Sequence, residues 1–168
     1  MTSVNTQQVK MAYIDRMYDE IRNVVEPKLL EVAASGAYIL GPYVREFEEA
    51  MERTYGIQHA LGVADGTNSL AIALRACGVG AGDEVIVPAY TIFVDASVVC
   101  MLGAVPQFVD VGGDFNLDPE AFEQAITPKT KAVIVVHLFG QTADMKAINE
   151  IAQRHGVKVV EDCAQAIG

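Results

Sequence analysis

Short runs rich in Val and Ile, separated by segments with helical periodicity, constrain this chain more than any other feature. Glu84–Val87, Val105–Val109, Lys131–Val136 and Val157–Val160 are such runs, and His59–Val63 is a shorter one before them. Continuous apolar runs, as opposed to alternating ones, belong to strands covered on both faces, which is the signature of a parallel sheet. The intervening segments Thr67–Cys77, Phe93–Leu102, Glu120–Ile126 and Met145–His155 read as helices. Gly78, Gly103 and Gly156 stand where helix C-caps belong, and Asp118-Pro119 supplies an N-cap followed by proline at the first helical position. The expectation is therefore an α/β fold: five strands in a mostly parallel sheet, helices on both faces, and right-handed crossovers.

Ahead of these units the pattern is helical. Ile14, Met17, Tyr18, Ile21 and Val25 form one stripe over Tyr13–Val25. Pro27 is expected to interrupt this helix, with a second short one over Lys28–Ala34. Gly36 and Gly41-Pro42 mark a loop, after which Val44, Phe47, Met51 and Tyr55 recur at helical spacing up to Gly56. This organisation gives an N-terminal helical segment over 1–40 and an α/β region over 41–168.

Composition narrows the function. Of 168 residues, 51% are apolar and 20% charged, which is globular and not disordered. The net charge of −10, without a basic patch, argues against nucleic-acid binding. No apolar run is long enough to cross a bilayer, and Met1–Lys10 is polar without the core of a secretory signal, so neither membrane nor export is indicated and a cytoplasmic location is expected. Cys77, Cys100 and Cys163 are odd in number and widely spaced, which suits free thiols and neither a disulfide framework nor a CxxC metal site. His59, His137 and His155 are scattered, and no metal site is expected.

In parallel sheets ligands bind at the carboxyl ends of the strands, so chemistry is sought there. Two strand ends stand out. After His59–Val63 comes Asp65-Gly66-Thr67-Asn68-Ser69, opening a helix. Free N–H groups, hydroxyls and the helix dipole make this either an anion site or an ordinary N-cap. After Val157–Val160 comes Glu161-Asp162-Cys163-Ala164-Gln165-Ala166. An acid at this position either partners a cationic ring nitrogen, as a pyridoxal-phosphate (PLP) site requires, or serves as a cap or loop ion pair. His137, also at a strand end, is either a ligand contact or a structural histidine. The glycines at 78, 80 and 82 follow a helix instead of a strand, so they are not a dinucleotide fingerprint.

Taken in order, several segments resemble the DegT/DnrJ/EryC1/StrS family of PLP-dependent sugar aminotransferases. They are Leu40-Gly41-Pro42, Phe47-Glu48, Gly66-Thr67, Gly82 to Pro88, Thr91, Gly103-Ala104-Val105-Pro106, Val109-Asp110, Val136 to Gly140, Asp144-Met145 and Glu161 to Ala166. Each is weak alone; the ordered set is specific. The resemblance implies the large domain of fold type I, incomplete at its C-terminus and without the family's small C-terminal domain. It implies that Asp162 pairs with the pyridinium nitrogen, Gln165 hydrogen-bonds the ring hydroxyl, and Gly66 and Thr67 hold the phosphate. An aromatic residue after Thr91 usually stacks on the ring; Ile92 stands there, which leaves Tyr90 or Phe93 as substitutes.

The implied activity is transfer of an amino group, from glutamate, to a nucleotide-linked ketosugar, in a protein that works as a homodimer. The family's Schiff-base lysine lies beyond Gly168, so the 168-residue chain by itself is expected to be inactive. Two alternatives remain open at this point: a sugar dehydratase of the same family, in which His replaces that lysine, and an inert fragment.

Overall fold

The computed structural model describes residues 12–167. It divides into two compact units, one running to Gly62 and the other from Val63 onward. The first holds two helices, α1 (Ile14–Ser35) and α2 (Pro42–Tyr55), closed by Gly36 and Gly56 in the left-handed region at φ 68° and 63°. Pro27 does not divide α1 as expected; the helix continues through it. A proline removes one N–H donor, while the turns on either side keep theirs. Here the Tyr18 hydroxyl also donates to Glu26 at 2.6 Å, tying the residue before Pro27 back along the helix.

The expected strand at His59–Val63 is also absent. Its backbone donors go to side chains instead of a ladder: Ala60 N–H donates to Glu52 at 3.1 Å and Gly62 N–H to Glu48 at 2.7 Å, both on α2. Apolar content made the segment look like a strand, but its backbone is already satisfied without a strand partner.

The second unit follows the expected alternation: α3 (Gly66–Ala76), β1 (Glu84–Pro88), α4 (Phe93–Met101), β2 (Val105–Val109), α5 (Pro119–Ala125), β3 (Thr130–Val136), α6 (Met145–His155) and β4 (Lys158–Asp162). The described sheet therefore has four strands, all parallel, in the order β2-β1-β3-β4. Pro88 does not stop β1 short; it is the last paired residue, opposite Val109. Likewise β4 runs on past Val160 through the polar Glu161 and Asp162, because β3 offers Val135 and Val136 as their ladder partners. Pairing is a backbone property, so side-chain polarity marked that strand end two residues early.

Successive residues along each strand feed opposite cores, which is why the strands read as continuous apolar runs. Val85, Val87, Ala132, Ile134, Val136 and Val160 pack with Leu70 and Leu74 of α3 and Val98 and Val99 of α4. Ile86, Val109, Val133 and Val135 pack with Phe122 of α5 and Ile148, Ile151 and Ala152 of α6. Helices thus cover both faces, as the sequence predicts. The expected cap matches as well, Asp118 accepting from the N–H groups of Glu120 and Ala121, and Asp144 caps α6 in the same way by accepting from Ala147 N–H.

Phe122 is fully buried whereas Phe93 is 81% exposed. Phe122→Ala should therefore destabilise the full-length protein by about 3–5 kcal/mol, and Phe93→Ala by less than about 0.5 kcal/mol. Denaturant midpoints measure both; equal losses would contradict the assigned core.

Candidate functional site

The carboxyl end of β4 and the N-terminus of α3 meet at one cavity of about 370 Å³. It is lined by Gly66, Thr67, Ser69 and Leu70 from α3, by Ile92 and Val94 at the start of α4, and by Glu161, Asp162, Cys163 and Ala164 at and beyond the end of β4. The volume lies in the range of small-molecule sites. A helix N-terminus and a strand end that are about a hundred residues apart in sequence therefore share one crevice, at the carboxyl end of a parallel strand where such sheets place their ligands.

At the α3 side, capping falls to Asp65. Its carboxylate accepts the Asn68 N–H at 2.8 Å and the Asn68 side-chain amide at 3.0 and 3.1 Å. These bonds, the backbone one foremost, hold Asp65 below its ordinary 3.8. With the cap supplied from outside the helix, Thr67 and Ser69 are left to line the cavity. Hydroxyls, free N–H groups and the positive end of the helix dipole suit a phosphate there.

At the β4 side, pairing with β3 sets Asp162 opposite Val136, and His137 N–H donates to the Asp162 carbonyl oxygen at 3.2 Å. One carboxylate oxygen, Oδ1, accepts the Ala164 N–H at 2.9 Å, which orients the group. Cys163, beside it, is held in the thiol form: burial, then Glu161 and Asp162, push it above its ordinary 9.0. It is therefore a poor nucleophile or metal ligand.

The other expected residues lie apart from this lining. Gln165 ties the segment after β4 to the loop after β3, its Oε1 accepting the Phe139 N–H at 2.8 Å. Its side-chain NH2 is left as a donor. Tyr90 lines a second, smaller cavity of about 230 Å³ with Thr91, Leu138 and Phe139. Its ring sits 5.6 Å from that of Phe115, which in turn lies 6.0 Å from Phe139 in an edge-on contact. Phe115 and Phe139 both occupy the left-handed backbone region, at φ 67° and 57°, an uncommon conformation for bulky residues that is found where a loop is over-determined. Phe93 lines neither cavity, and Ile92 stands at the main one.

His137 is buried, 3% exposed, and fully bonded. Its Nδ1 accepts the Ala143 N–H at 3.2 Å, so the hydrogen of the neutral ring sits on Nε2, which donates to Glu161 at 2.9 Å. Glu161 and Cys163 stand close to His137, but with the Ala143 N–H on Nδ1 the ring could take an ion at Nε2 only by giving up its last hydrogen. His137 is a structural pin between the loop after β3 and β4. Asn116 is a second one, buried and accepting the Leu138 N–H at 3.2 Å.

One residue at this site escaped sequence reasoning: Asp95, in the first turn of α4 and fully buried. A lone acid inside the apolar run Ile92–Leu102 was the signal that could have found it.

Comparison with known proteins identifies the family. The model of the DegT/DnrJ/EryC1/StrS aminotransferase family matches residues 19–168. A pleiotropic regulatory protein of Geobacillus stearothermophilus is 45% identical over 95% of this chain and 43% of its own length. The UDP-2-acetamido-2-deoxy-3-oxo-D-glucuronate aminotransferase of Pseudomonas aeruginosa is 45% identical over 88% of this chain and 42% of its own. The solved structure of NtdA from Bacillus subtilis, with its cofactor PMP bound, superposes at a TM-score of 0.90 with 35% identity, covering 100% of this chain and 39% of that one. The chain thus spans about two fifths of the length of the proteins it matches. On the strength of the family match and of these likenesses, the chain belongs to the DegT/DnrJ/EryC1/StrS aminotransferase family.

Proposed function

We propose that the full-length protein is a PLP-dependent aminotransferase that moves an amino group from glutamate to a keto carbon of a nucleotide-linked sugar, with residues 41–168 forming part of its cofactor-binding domain. The observation that carries this reading is the single cavity with a phosphate-type helix N-terminus at one side and the Asp162 carboxylate at the other. The PMP in NtdA and the UDP-sugar in the name of the Pseudomonas aeruginosa relative support cofactor and substrate class respectively.

Pyridoxal phosphate, when bound, supplies an electron sink for the substrate carbon. The chain's own residues set the conditions for it. Asp162, oriented by Ala164, keeps a proton on the ring nitrogen. Gly66 and Thr67 donate to the phosphate at the end of α3, where the dipole adds to the attraction. Gln165 stands just beyond the lining residue Ala164, and with its Oε1 committed to Phe139 its amide NH2 would be the group that reaches the ring hydroxyl. Ile92, which lines the cavity, would lie against the ring, while Tyr90 belongs to the neighbouring aromatic group with Phe115 and Phe139.

None of the described lysines lines the cavity. We assign the Schiff-base lysine to the protein beyond residue 168, so that residues 1–168 grip the cofactor without turning over. The exposed apolar residues of α1, among them Met17, Ile21, Val24 and Leu29, support a homodimer in the full-length form. The chemistry suits the cytoplasm, and no described helix is long and apolar enough to cross a membrane.

Two substitutions in the full-length protein test these assignments by absorbance titration. Asp162→Asn removes a charge-assisted hydrogen bond of about 1.5–3 kcal/mol, so PLP should bind roughly 10- to 100-fold more weakly; unchanged affinity would remove Asp162 from the site. Thr67→Val should weaken PLP by about 2- to 10-fold while leaving pyridoxal, which lacks the phosphate, at wild-type affinity. Equal losses for both ligands would show that Thr67 does not serve the phosphate.

A further inference from the structure

Among the described residues of this unit, Asp95 is the one buried, titratable group that the proposed roles leave without a task. It is fully buried, and its two oxygens differ. Oδ2 accepts the Thr91 hydroxyl, whereas Oδ1 has no hydrogen-bond partner. The carboxyl of Asp162, the residue placed against the cofactor's ring nitrogen, lies within hydrogen-bonding reach of the Asp95 carboxyl. Two ionised carboxylates are acceptors only and repel one another. They can bond only when one of them carries a hydrogen.

We infer that Asp95 is a positioning residue: in its acid form it donates a hydrogen from Oδ1 to the Asp162 carboxylate, and with Ala164 N–H on the other side this fixes the face that Asp162 turns to the ring nitrogen. The inference rests on the PLP reading for its functional consequence, but the carboxyl pair itself exists without cofactor.

The surroundings favour a resident proton on Asp95. Burial foremost, and then the neighbouring Asp162, raise it from 3.8 to about 6, against the lowering effect of the Thr91 hydroxyl. The charged groups on the packed elements are engaged elsewhere: Asp65 with Asn68, Arg75 with the Val79 carbonyl, and Glu84 with Thr127. The faces of α3 and α4 that meet the sheet are apolar, through Leu70, Leu74, Val98 and Val99. The N-terminal turn of α4 favours an anion, but only weakly beside complete burial without a cation.

This arrangement has a definite pH signature. An acid raised in the folded chain contributes stability that is whole below its unfolded value of 3.8 and is lost as pH climbs through about 6. The test uses the full-length protein, first without cofactor. Thermal midpoints of the wild type should fall between pH 4 and about 6, and Asp95→Asn, which cannot titrate, should flatten that fall. Asp162→Asn offers Asp95 an amide donor in place of a carboxylate, so it should move the fall to lower pH. If wild type and Asp95→Asn show the same slope, or if Asp162→Asn leaves the fall in place, the pair does not exist.

The second arm is PLP affinity at a pH below 6, where Asp95 carries its hydrogen. Asp95→Val, which has no donor, should bind roughly 2- to 10-fold more weakly, and Asp95→Asn, whose amide donates to Asp162, should restore affinity to within about 3-fold of wild type. Equal affinity of the Val and wild-type forms would overturn the positioning role. If Asp95→Val does not fold, an Asp95→Asn affinity well below wild type has the same force. A pH-linked pair that persists while Asp162→Asn leaves PLP binding untouched would instead overturn the cofactor reading and keep the pair.

Discussion

The ladder between β3 and β4 is the constraint on which the rest of the site depends. It is the last pairing of the described sheet and sets Val136 opposite Asp162. That register brings the carboxylate level with the strand ends, beside the N-terminus of α3 and the first turn of α4. A slip of one residue would turn Asp162 to the opposite face of the sheet, into the layer of α5 and α6. Several contacts hold the register against such a slip. His137 donates its N–H to the Asp162 carbonyl and its Nε2–H to Glu161, while its Nδ1 takes the Ala143 N–H. Gln165 then fastens the segment beyond the strand to Phe139. The residues that would touch the ring are thus few, and a larger set exists to aim them.

Much of this was legible in the sequence because it depends on local rules. The Val and Ile runs of β1, β3 and β4 require cover on both faces, and the two cores supply it. Asp118, Asp144, Gly56 and Gly156 mark helix ends by chemistry that does not need a tertiary context. The strand-end rule pointed to Asp162, whereas Gly66 and Thr67 reach the same crevice from a helix N-terminus with no strand before it. The ordered motifs narrowed the ligand class.

What was not legible depends on partners distant in sequence. His59–Val63 has the composition of a strand, but Glu48 and Glu52 of α2 take its N–H groups. Pro27 breaks most helices, and the Tyr18–Glu26 bond accompanies the exception. Glu161 and Asp162 look like a loop because they are polar, but β3 extends far enough to pair with them. Asp95 is the instructive case. Its meaning lies entirely in a neighbour sixty-seven positions away, and no periodicity in α4 points to that neighbour.

The central claim is that one crevice orients a pyridoxal phosphate between α3 and β4. A crystal structure of the full-length protein with the cofactor tests it most directly. The account predicts the phosphate within hydrogen-bonding distance of Gly66 and Thr67 and the ring nitrogen against the Asp162 carboxylate, with Ile92 over the ring. A cofactor bound in the reverse sense, or seated among Tyr90, Phe115 and Phe139, would contradict it.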